Sequence, residues 1–401
     1  MPRPLPLHGL PLVKSPARWP LFAKGFRPFF LLASLFAAMM LPLWLLVLTG
    51  TIVPVRHLDA VNWHAHEMLF GFSVAVIAGF LLTAVGNWTQ RETAIGMPLF
   101  LLCALWGIGR IAMSTTLFRP SVSAVLDLAF LPALMVVLAR PLLLAKNRRN
   151  FVMLAVLGAL FAANLMFHLD VLGYAPGWAR RGVLVAVDIV VLLMLVIAGR
   201  VLPMFTRNAT RREAIRSIPT LDALAIGMMA LLTAVDAFST PAPVVVAVLA
   251  ASSGVLAAAR AVRWGAVHSL RMPLLWVLHV GHAWIPIGLL LRAGGSMAGG
   301  VFSLMATHAL TAGAIGALTL GMMARVALGH TGRALTVGRT VTVAFALMTI
   351  AACVRVMAPL LQSHYVGLLV MAGVSWAAAF VLYAIAYAKI LLSPRVDGRA
   401  G

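Results

Sequence analysis

The chain has 401 residues, of which 62% are hydrophobic and only 10% charged, and its mean hydropathy is +1.02. That composition excludes an ordinary soluble globule and predicts an all-α, polytopic integral membrane protein with the lipid bilayer as its surroundings. The net charge of +21 would suit a nucleic-acid binder only if the basic residues gathered on one folded face; they fall instead in short loops between apolar runs, so no nucleic-acid partner is expected.

In chain order, a proline-rich, basic segment at 1–28 comes first and reads as cytoplasmic. No cleavable signal is apparent, because the first apolar run is too long for one. Twelve spans are predicted, at about 29–49, 67–86, 97–117, 121–139, 150–172, 182–205, 221–236, 242–262, 272–291, 299–327, 338–359 and 365–390. They form one domain, 29–390, followed by a cytoplasmic tail at 391–401. Assigning alternate loops to opposite sides puts twenty-three of the 31 Lys and Arg residues on one side and five, Arg56, Arg119, Arg180, Arg181 and Arg292, on the other. Arg110, Arg200 and Arg355 stay within or near helix ends. By the positive-inside rule both termini are cytoplasmic. Cys103 and Cys353 each sit in an apolar run without CxxC spacing, and read as small buried hydrophobes rather than ligands.

Fixing the topology also fixes depth. At the mouth of the second span, Trp63-His64-Ala65-His66-Glu67-Met68 sets two imidazoles and a carboxylate against an uncharged run. Such groups are expensive in a membrane and need partners. Asp127, Asp170, Asp188 and His168 map to the same outer level, and Arg110 and Arg355 reach it. Deeper, His279 and His282 in the ninth span and His308 in the tenth are expected near the midplane, with the i, i+3 pair about 60° apart on its helix. His64 and His66, two apart, diverge on a regular helix, and share a ligand only if His64 sits in the entry turn.

Neutral imidazole suits copper, iron and zinc, so His64, His66, His168, His279, His282 and His308 are candidate metal ligands, against a plainer reading as interhelical hydrogen-bonding residues. Arg110 and Arg355 either pair with Glu67 or Asp127 or clamp the propionates of a haem. Glu67, Asp127 and Asp188 are candidates for an acidic relay or for support behind the ligands, against simple satisfaction of helix ends. The loop Gly329-His330-Thr331-Gly332-Arg333 lacks the spacing and lysine of a phosphate loop, and the role of His330 stays open. His8 and His268 fall in polar inner segments and His364 opens the last span, where solvated or interfacial roles suffice.

FRPFFLLASLFA from Phe26, WHAHEMLFGF from Trp63 running on through GFLLTAVGNWT at Gly79, DLAFLPAL at Asp127, NLMFHLD at Asn164, GRVLPMFTRNA at Gly199 and ARVALGHTGR at Ala324 keep their order along most of the chain. Together they resemble the NnrS family of nitric-oxide-response membrane proteins. The resemblance implies a twelve-helix bacterial inner-membrane protein that carries haem b and copper, meets nitric oxide as ligand or substrate, draws on an unidentified electron donor and helps cells tolerate nitrosative stress, often beside denitrification enzymes. It does not assign turnover, so an enzymatic nitric oxide activity stays open. The rival from another class is a proton-coupled twelve-span secondary transporter with Glu67, Asp127 and the histidines as relay and Arg110 as substrate clamp.

Overall fold

A computed structural model describes residues 19–52 and 58–399. Most of the predicted basic N-terminal segment, with Arg3, His8, Lys14 and Arg18, lies outside the described residues, as does Arg56. The protein is 82% helical, without a strand among the described residues. Twelve helices are long and apolar enough to cross a membrane: α1 Phe26–Leu48, α2 Ala60–Thr89, α3 Met97–Ser114, α4 Pro120–Leu144, α5 Arg148–Val171, α6 Trp178–Thr210, α7 Pro219–Phe238, α8 Pro243–Trp264, α9 Pro273–Ala298, α10 Gly300–His330, α11 Arg339–Leu360 and α12 Gln362–Leu392. In lipid every backbone group must be satisfied within the segment, which is why uncharged runs of this length become helices.

Helix starts follow local chemistry. Proline opens α4, α7, α8 and α9, where its missing N–H costs nothing. Asp59 caps α2 by accepting from the backbone N–H groups of Val61 and Asn62, both at 2.9 Å. This cap sits one turn before His64, so α2 begins seven residues earlier than its apolar run. The histidine pair and Glu67 are therefore inside the helix rather than at its mouth.

Most consecutive helices pack as antiparallel neighbours, and α1 also packs against α12, which closes the bundle. At that closure the buried Arg27 guanidinium donates to the carbonyls of Leu391 and Ser393, at 2.9 and 2.7 Å, and so caps α12. The His330 loop is fastened to the tail nearby: Arg395 donates to the His330 carbonyl at 2.9 Å and to Asp397. That contact holds the Asp397 carboxyl well below the usual carboxylate range. Of the cysteines, Cys103 is buried as expected, but Cys353 is exposed on the apolar surface of α11.

Two helices depart from regular α geometry. Glu67–Ser73 in α2 and Ala309–Ile315 in α10 are π-helical, each starting at or just after a histidine singled out above. A π turn admits one residue more than an α turn and re-aims the side chains around it.

Candidate functional site

His66 and Glu67 are fully buried at the start of the α2 π segment. The His66 Nδ1–H donates to Glu67 Oε1 at 2.9 Å, and Arg110 from α3 donates to the same carboxylate oxygen at 2.7 Å. Glu67 thereby fixes the ring, and Nε2 faces the opposite way, 3.2 Å from Asp127 Oδ2 and 3.0 Å from Asn164 Oδ1. His168 Nε2 reaches the same Asp127 oxygen at 2.8 Å, and Asn164 donates to it at 2.7 Å. The second oxygen of Asp127 accepts from Arg110. Four helices, α2 to α5, thus converge on one carboxylate.

Charge counting explains why the cluster needs a further cation. Glu67 and Asp127 bring two negative charges, Arg110 brings one positive, and both imidazoles can be neutral. An uncompensated charge at this depth is costly, so a proton on an imidazole or a metal ion completes the balance. The donor set fits a metal. His66, Asp127 and His168 form the only group of three or more His, Cys, Asp and Glu side chains among the described residues whose ligand atoms are close enough to share an ion. Metal bonds of about 2.0–2.1 Å in tetrahedral array separate neighbouring ligand atoms by about 3.3 Å, and the two contacts to Asp127, 3.2 and 2.8 Å, are close to that. The Glu67-to-Nδ1 contact is the arrangement by which a carboxylate orients a metal-binding histidine.

His64, two residues earlier, points away from this cluster. Its ring stacks on Trp44, with centroids 4.1 Å apart, and lines a cavity of about 520 Å³. His308, Arg355 and Arg180 line the same cavity, together with residues of both π segments. His308 Nδ1–H donates to the Leu304 carbonyl at 2.8 Å, which makes Nε2 the acceptor nitrogen. His64 Nδ1 and one Arg355 guanidinium nitrogen are buried with no hydrogen-bond partner. The space suits a large ligand, and two imidazoles with two guanidiniums around it match a metal-centred ring bearing carboxylates.

The remaining sequence candidates separate from these two sites. His308 was expected beside His279 and His282, but the α9–α10 register runs through Gly281 on Leu318, Gly288 on Leu310 and Gly295 on Ser303. His308 therefore stands opposite residue 290, about 12 Å along the helix from His282 at 1.5 Å per residue. His279 is bonded to Thr206 at 2.9 Å, and His282 donates to the Ala257 carbonyl at 3.3 Å beside Trp264. Asp188 is paired with Arg292 at 2.6 Å, and Asp236 shares that guanidinium, so Asp188 supports α6, α7 and α9 rather than the histidines. Arg110 is engaged at both ends by Glu67 and Asp127; Arg355 alone of the two faces the large cavity.

Sequence reasoning passed over Asn164, Trp44 and Arg180. Asn164 carried a readable signal, since it lies four residues before His168 and so on the same helical face.

A family model described as NnrS protein matches residues 20–395, nearly the whole chain. No curated protein matches the chain.

Proposed function

Since the chain belongs to the NnrS family, we propose that it is a haem- and copper-binding protein of the bacterial inner membrane that handles nitric oxide under nitrosative stress. The observation that carries this reading is the pairing of two ligand sets on one helix turn. His66, Asp127 and His168 would supply two imidazoles and a carboxylate to the metal; imidazole nitrogen suits copper, and it is the family that favours copper over iron or zinc here. His64 and His308 would hold haem b in the large cavity, with Arg355 and Arg180 pairing its propionates. When bound, haem iron supplies a gas-binding, one-electron centre. The residues of this chain orient the imidazoles, balance the buried charge and keep bulk water from the cluster.

Against the transporter reading stands the burial of Arg110, whose two terminal nitrogens are both committed to Glu67 and Asp127. Optical spectra with metal and haem analysis of the purified protein test the proposal. His64→Ala and His308→Ala are expected to lose the Soret band, and His66→Ala and His168→Ala to lose copper while keeping it. A colourless, copper-free wild-type protein would overturn the reading.

A further inference from the structure

Between α1, α2, α6 and α10 lies a second, smaller cavity of about 90 Å³. Its inner wall is Phe30, Val76, Val190 and Leu202, all buried, and its mouth is formed by the half-buried Met194, Ile197 and Met322. The mouth opens on the apolar outer face of the bundle, where the bilayer would lie. Only two side chains in the wall are polar, and both hydroxyls are already committed: Ser73 donates to the Met68 carbonyl at 2.8 Å, and Thr319 to the Ile315 carbonyl at 2.6 Å.

A water molecule held in a protein needs two to four polar partners. Almost no polar atom of this wall faces the space, as donor or as acceptor, so the cavity is dry. It is smaller than the apolar cavity of about 150 Å³ known to stay dry and take benzene or xenon. A guest that fits it would be a small, uncharged molecule that dissolves in lipid. Ser73 also lines the 520 Å³ cavity, so that residue is part of the wall between the two spaces. The π segment of α2 ends at Ser73, and that of α10 ends one turn before Thr319, so both irregular segments end at or near the wall of this cavity.

We propose that this dry cavity is a binding site for a lipid-dissolved diatomic gas on its way from the bilayer to the cavity of His64 and His308. The gas-binding site stands on the cavity alone, whereas its destination rests on the haem reading above. Xenon is the probe. Full-length protein in lipid nanodiscs is expected to show saturable xenon binding by xenon NMR, and xenon-pressurised crystals to show density between Val190 and Leu318. Ala198→Phe, which fills the space, is expected to abolish both and to slow nitric oxide binding to the haem several-fold with the Soret band unchanged. Should that variant fail to fold, Val76→Leu carries the same comparison with one added methylene.

Ordered water or an acyl chain in place of xenon would overturn the site. Xenon binding lost without any change in the nitric oxide rate would overturn the passage. A colourless protein that still binds xenon would remove the haem reading and leave the site, so the two failures are distinguishable.

Discussion

Bonded at both ends, Arg110 neutralises one of two carboxylates buried beside His66. Removing one partner of such a group leaves an uncompensated buried charge, at a cost of about 3–5 kcal/mol. Arg110→Leu is accordingly expected to destabilise the detergent-purified protein by about that much, read as a lower melting temperature. Arg110→Lys should recover only part, because a point charge does not span two carboxylates as the forked guanidinium does. A melting curve unchanged in the leucine variant would mean that the cluster contributes nothing to stability. The divergence of His64 and His66 was legible in the sequence, since residues two apart cannot share a face of a helix. Which partners each would find was not, because hydropathy fixes how deep a residue lies and says nothing of how its helix is rotated.

Close approach between helices sets that rotation. A Cβ on Gly182 would lie 2.4 Å from the Ala163 carbonyl of α5, so only glycine lets α6 reach this near. Gly182→Ala must push α5 away, and α5 carries Asn164 and His168. Overpacking of this kind costs about 1–3 kcal/mol. The variant is expected to melt earlier and to lose copper in proportion, by metal analysis, while haem content holds; equal copper in both proteins would detach the α5 face from the metal site. All twelve spans were readable as apolar runs, to within a few residues for most. The exceptions are instructive: α2 starts at its Asp59 cap, α6 extends from Trp178 to Thr210 and α9 runs seven residues past its expected end to Ala298, because polar or glycine-rich first and last turns continue a helix without adding hydropathy. The two π segments left no trace in the pattern. Depth counted from helix ends misplaced His308 for a related reason, since α9 and α10 differ in length and the contact register, not the count, aligns them.

For the molecule as a whole, the Arg27 contact with the end of α12 puts the start of α1 and the end of α12 on one face of the bundle. An even number of crossings gives the same answer. We infer from the excess of Lys and Arg on that side that it is the cytoplasmic one. A C-terminal green fluorescent protein fusion is expected to fluoresce and a C-terminal alkaline phosphatase fusion to be inactive, and the opposite pair of results would invert the topology. Inversion would move the polar cluster and the large cavity from the outer to the inner half of the membrane.

His64 and His66 ride on the same short stretch of helix, one turned into the large cavity and the other into the four-helix cluster. A shift of the backbone in this stretch would displace both rings together. Were both sites to bind, any influence of one on the other through this turn would be equal in both directions by thermodynamic reciprocity. The peptide at Ala65 is the shortest covalent path between the two rings.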